Sequence, residues 1–113
     1  MLKVLFVDNE KFWHEQVDKI CCKDVQVLHA YDLATARRLF LEHHDIDVVV
    51  VDDCLTGSEV DTLEFVQEIK RGFAGRVVAA CSNCNNGELL VGAGCEKQIY
   101  KSAISEFLLP SCA

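Results

Sequence analysis

The chain has 113 residues, half of them apolar and 26% charged, with eleven Lys and Arg against eighteen Asp and Glu and a formal charge of −7. That length suits one domain over residues 1–113; the apolar fraction excludes wholesale disorder, and a single Pro beside six Gly excludes a collagen-like or Pro-rich chain. The net acidity argues against nucleic acid or an anionic membrane surface as partner, since both call for clustered Lys and Arg.

Taken in chain order, residues 2–7 form a branched apolar run ending at Asp8, the pattern of a buried strand. Residues 10–21 set Trp13, Val17, Ile20 and Cys21 at helical spacing, a stripe that reads as core. Residues 25–29 alternate weakly as a second strand. Asp32 then stands where a helix N-cap is expected, ahead of Leu33, Ala36 and Phe40, and His43 and His44 close that helix at its favourable, negative end. Residues 46–51, with four consecutive valines, are the strongest strand signal and stop at Asp52 and Asp53. A loop through Thr56, Gly57 and Ser58 leads to a helix over 61–70 built on Leu63, Phe65, Val66 and Ile69 and ended by Gly72 and Gly75. Residues 76–81 read as a fourth strand, 82–87 as a polar loop, 86–92 as a short helix crowded by Gly92 and Gly94, and 97–100 as a fifth strand. Residues 102–109 allow about two helical turns before Pro110.

Strands alternating with helices imply right-handed crossovers and a parallel sheet covered on both faces. Near-continuous apolar strands agree, because a half-exposed sheet would show alternation. Seven cysteines are an odd number, so a closed disulfide set cannot use them all, and several sit in apolar runs as small hydrophobes. No N-terminal h-region and no membrane-length apolar run are present, so the expectation is a reduced protein of the cytoplasm.

In parallel sheets of this kind ligands bind beyond the carboxyl ends of the strands. There the sequence places Asp8, Asn9 and Glu10 after the first strand, Asp52 and Asp53 after the third, Ser82 and Asn83 after the fourth, and Lys101 after the fifth. Opposed carboxylates invite a hard cation, for which Mg²⁺ is the natural candidate, and a Lys with a hydroxyl completes a cradle for a phosphoryl group. A carboxylate so placed can act as nucleophile and form an acyl phosphate.

The segments VLFVDNE, DIDVVVVDDCLTG, VVAACSN and GAGCEKQIYKS, in this order and spacing, resemble a response-regulator receiver domain of two-component signalling, the CheY-like family. The resemblance spans nearly the whole chain and implies a flavodoxin-like, doubly wound sheet of strand order 2-1-3-4-5. It implies Asp52 as phospho-acceptor, with Asp53 the competing candidate. Lys101 would face the phosphoryl oxygens and Ser82 would be the hydroxyl that turns toward them, although Cys81 stands one residue away and could hold that position. Mg²⁺ would be held by Asp8, Asn9, Asp52 and the backbone carbonyl of Cys54. Ser82 and Tyr100 would form the switch. The chain would be no enzyme beyond self-catalysed phosphoryl transfer and dephosphorylation. Its partners would be a sensor histidine kinase or phosphotransfer protein, a downstream target protein, and a second copy in a homodimer.

Four departures bear on this. Asn9 replaces the usual second acid and is a weaker Mg²⁺ ligand than a carboxylate. Ser102 stands where a Pro is usual after the lysine. Gln98 stands where the aromatic switch residue is common. The stretch from Ser82 to Lys101 is short, which predicts a reduced fourth helix. Two other readings remain from the residues themselves. One is a pseudo-receiver that only binds partners, favoured by Asn9. The other is a thiol redox or metal-binding protein using the C-x-x-C of Cys81 and Cys84.

Overall fold

The computed structural model describes residues 1–20, 23–55, 60–82 and 84–108, apart from the side chains of Ile20 and Cys84. The readings made for Cys21, for the Thr56 to Ser58 loop, for Asn83 and for Leu109 and Pro110 therefore lie outside the described residues, as do those for the Ile20 and Cys84 side chains. The apolar runs become five wholly parallel strands, β1 (Leu2–Val7), β2 (Val25–Ala30), β3 (Val48–Val51), β4 (Arg76–Cys81) and β5 (Lys97–Tyr100). Their order is β2-β1-β3-β4-β5, the order expected.

Two apolar layers cover the sheet. On one face Val4, Phe6, Val48, Val50 and Ala80 pack against α1 (Lys11–Ile20), through Trp13 and Val17, and against α5 (Ile104–Leu108). On the other, Leu5, Val7, Val49, Val51, Ala79 and Cys81 meet α2 (Leu33–Glu42), α3 (Leu63–Lys70) and α4 (Cys84–Ala93). The four valines of β3 are all buried, two toward each layer, which is why that strand shows no alternation in sequence. Each buried valine contributes about 1.5–3 kcal/mol by area removed from water. β3 begins at Val48 rather than at residue 46, because Asp47 instead exchanges hydrogen bonds with the backbone of Lys3 through its N–H and a side-chain oxygen.

Asp32 caps α2 as expected, its Oδ1 accepting from the Thr35 N–H at 2.7 Å. The region after β4 departs from expectation. The helix there begins at Cys84, not at 86, and runs ten residues, as long as α1 and α2, so it is not reduced. Only Leu90 among its large apolar side chains is fully buried, while Leu89 and Val91 are exposed, so the stretch carries no clear helical period. Gly87 sits inside the helix for a packing reason, since a Cβ there would run into the Gln98 side chain on β5. Gly94, at φ +133°, ends it, with the N–H groups of Gly94 and Cys95 bonded back to Val91 and Leu90. After β5 a 3₁₀ turn, Lys101–Ala103, precedes α5, which reaches Leu108, the last described residue. Among the described residues no helix is long and apolar enough to cross a membrane.

Candidate functional site

Strand register builds the acid rim. Val7 lies opposite both Ala30 and Val51, so the next residues of β1 and β3, Asp8 and Asp52, emerge side by side at the carboxyl edge. The ladder continues one rung beyond the strands, with Asp8 N–H donating to Ala30 O at 3.0 Å and Asp52 N–H to Val7 O at 2.9 Å. Both acids continue the alternation of Phe6 and Val50, on the layer of α1 and α5.

Lys101, immediately after β5, reaches back over the edge. Its Nζ lies 3.1 Å from Asp8 Oδ2 and 3.2 Å from Asp52 Oδ2, with Glu10 farther out at 3.6 Å. Asp8, Asp52 and Lys101 are all buried. One ammonium thus spans two carboxylates from neighbouring strands. Burial pushes the Asp52 carboxyl up to about 8, helped by its hydrogen bond with the Asp53 carboxyl and by the charge of Asp8, while Lys101 opposes the shift. Burial also works against the Lys101 ammonium, but the charges of Asp52 and Asp8 outweigh it and raise its pKa. Asp8 Oδ2 is enclosed and meets the Lys101 ammonium as its one partner among the described residues. Its other oxygen accepts from the Glu10 N–H at 2.8 Å.

Asp53, the competing acceptor, is buried but turned to another task. Its Oδ2 accepts from Asn86 Nδ2 on the first turn of α4 at 2.7 Å, and its backbone O accepts from Thr62 Oγ1 at 3.0 Å. Burial pushes Asp53 upward, but its hydrogen bonds with Asp52 and Asn86 prevail and hold it below the ordinary carboxylate range. Asn9 uses its amide nitrogen on Leu55 O, at 2.9 Å, which ties the β1–α1 turn to the loop after β3 and leaves Oδ1 as its only ligating atom. Cys54 lies in that same loop, half-buried.

The structure separates Cys81 from Ser82. The Cys81 side chain packs in the α2, α3 and α4 layer, on the opposite face of the sheet from Phe6 and Val50, while Ser82, one residue past β4, is exposed. Burial, with the nearby charges of Asp53 and Asp52, pushes the Cys81 thiol up to about 12, where little reactive thiolate forms. Cys81 and Cys95 carry free thiols. Among the described residues no group of three or more His, Cys, Asp or Glu side chains is arranged to hold a metal. Tyr100 pairs with Cys81 in the β4–β5 ladder and is largely exposed, while Gln98 packs against Gly87 beneath α4. Asn86 and His14 were not singled out by sequence reasoning. An amide on a glycine-bearing stretch and a histidine beside Trp13 carry no pattern of their own, and only the Asx character of Cys84-Asn85-Asn86 hinted at a helix start.

No family model matches the sequence, and no curated protein matches it. Solved structures do match. A response regulator from Thermotoga maritima superposes with a TM-score of 0.78 at 24% identity, covering 99% of this chain and 94% of that one. A response-regulator receiver domain protein from Clostridium thermocellum gives 0.81 at 22% identity over 98% and 90%. The fold is that of a response-regulator receiver domain. A chain of the CheX–CheY–BeF3–Mg²⁺ complex from Borrelia burgdorferi matches this receiver fold as well, with a TM-score of 0.76 at 16% identity over 99% and 90%. In the receiver frame Lys101, expected from sequence, lies within hydrogen-bonding distance of both Asp8 and Asp52.

Proposed function

We propose that the chain is a cytoplasmic receiver module that accepts a phosphoryl group on Asp52 from a sensor histidine kinase or phosphotransfer protein and signals to a partner protein. The observation that carries this reading is the buried Asp8–Lys101–Asp52 contact at the carboxyl edge of the sheet. Ionised Asp52 would attack the donor's phosphorus with one carboxylate oxygen. The new O–P bond forms as the N–P bond to the donor histidine breaks, and the histidine keeps that electron pair. Lys101 favours the ionised nucleophile beforehand and stands ready for the phosphoryl oxygens afterwards. Ser82, exposed one residue past β4, would be the hydroxyl that turns toward the added group.

The donor set fits a hard divalent cation on one observation: Asp8 Oδ2 is buried with the Lys101 ammonium as its one partner among the described residues, beside a second carboxylate whose pKa its charge raises. Asp8, Asp52, Asn9 through Oδ1 and the Cys54 carbonyl would hold Mg²⁺, which when bound neutralises the phosphoryl oxygens. Asn9 makes this a weaker site than one with three carboxylates.

The test is to treat the whole chain with acetyl phosphate and Mg²⁺ and read intact mass, beside Asp52→Ala. One phosphoryl adduct in the native chain and none in the variant supports the reading. An unlabelled native chain, with no Mg²⁺-dependent change in Trp13 fluorescence, overturns it and leaves a protein-interaction module. Trp13 serves as reporter because its ring centroid lies 5.9 Å from Lys101 Nζ.

A further inference from the structure

Beside the acid rim stands a third buried carboxylate that the phosphoryl chemistry leaves unused. Asp53 is 5% exposed, against 4% for Asp52. Its backbone is fixed on both sides, the N–H donating to Asp52 Oδ1 at 2.8 Å and the oxygen accepting from Thr62 Oγ1 at 3.0 Å. Its carboxyl meets that of Asp52, which lies 3.2 Å from Lys101 Nζ, and Lys101 is the cation whose charge is felt at Asp53. Among the described residues Lys101 nonetheless pairs with Asp8, Asp52 and Glu10, and not with Asp53.

A donor from another element turns Asp53 aside. Asn86 Nδ2, on the first turn of α4, donates to Asp53 Oδ2 at 2.7 Å, a short bond to a charged acceptor. Leu90, one turn farther on, is fully buried and fixes α4 against the sheet, so the amide is presented by an anchored helix. A buried carboxylate stripped of its donor is costly and must find another partner. Without Asn86, and with its backbone held by Asp52 and Thr62, Asp53 can respond only by turning its side chain, and the charge that draws it is Lys101. That ammonium already serves two buried carboxylates with one positive charge. A third would divide it further and set another negative charge where an anionic phosphodonor must approach.

We propose that Asn86 is a positioning residue: by holding the Asp53 carboxylate against α4 it keeps Lys101 for Asp8 and Asp52. Its effect on labelling rests on the reading of Asp52 as phosphoacceptor, whereas its effect on Lys101 does not. Of two adjacent acids in the sequence, Asn86 thus commits one to α4 and leaves the other to the ammonium.

The test is a double-mutant cycle in the whole chain, with Asn86→Ala and Asp53→Asn, read in two ways. Alanine suits the half-buried, helical position, so the variants should fold. Lysine labelled with ¹³C at Cε reports the surroundings of Lys101 by NMR without any phosphate, its signal assigned by loss in Lys101→Arg. Asn86→Ala should move that signal in the otherwise native chain and leave it in place in Asp53→Asn, which has no charge to turn. Acetyl phosphate with Mg²⁺ gives the labelling rate of Asp52, which Asn86→Ala should lower at least about threefold in the native background and less than about 1.5-fold in Asp53→Asn. Asn86→Asp has the same size and no donor, so it should behave as Asn86→Ala does, whereas a space-filling role predicts native behaviour. A Lys101 signal untouched by Asn86→Ala, equal effects in the two backgrounds, or a native-like Asn86→Asp overturns the proposal. If acetyl phosphate does not label the native chain, the phosphoacceptor reading fails, and the Lys101 signal by itself decides the role of Asn86.

Discussion

Replacing the proposed phospho-acceptor, Asp52→Asn, should make the unlabelled protein more stable at neutral pH. In the folded chain this carboxyl titrates at about 8, against about 3.9 when unfolded. A carboxyl whose pKa is raised by folding lowers stability at any pH above its unfolded value, and the loss grows until the pH passes the folded value. At about pH 7 the gap spans roughly 3 units, which at 1.36 kcal/mol per unit sets a ceiling of about 4 kcal/mol. Asparagine has the same shape and no charge. It can still accept from the Asp53 N–H, and it leaves Lys101 in contact with Asp8. Relaxation of the native site lowers the ceiling, so the expected gain is about 2 kcal/mol, on the order of 10 °C in Tm. Guanidinium unfolding of both proteins followed by Trp13 fluorescence, from about pH 4 to 8, measures it. The gain should grow with pH and vanish near about pH 4. A variant no more stable than the native chain at neutral pH, or a gain independent of pH, would refute burial and repulsion from Asp8 as the cause.

Asn9→Asp should raise Mg²⁺ affinity on the order of tenfold, read by Trp13 fluorescence titration, because it adds a charged ligand beside Asp8 and Asp52; an unchanged affinity would remove Asn9 from the ligand set. Gly87→Ala should cost less than about 1 kcal/mol in denaturant unfolding, because the new Cβ meets mainly the flexible end of Gln98, which can turn aside, and the helix gains from Ala. Gln98→Ala in the same chain should recover most of that, and an additive double variant would count against the contact. Asp32→Ala should lose about 1 kcal/mol through the uncapped Thr35 N–H, seen as a lower denaturation midpoint with an unchanged slope.

The sequence alone determined the layered architecture, because its causes are local and periodic. Val48 to Val51 reads as a strand buried on both faces whatever surrounds it, and Asp32 before Leu33 reads as a cap from two residues. The rim was legible for the same reason: in a parallel sheet the residue after each strand reaches one edge, so Asp8, Asp52 and Lys101 could be assigned before any distance was known. Tertiary structure decided everything that depends on which atoms face each other. It set Cys81 in the α2, α3 and α4 layer, on the opposite face of the sheet from Phe6 and Val50. It extended the fourth helix to ten residues, across Gly87 and Gly92, which helix propensity disfavours. It engaged Asp53 with Asn86, and joined His14 to His29 and Asp18 across two elements. Such contacts are side-chain pairings between segments distant in sequence, and pairing of that kind leaves no period for a sequence to show.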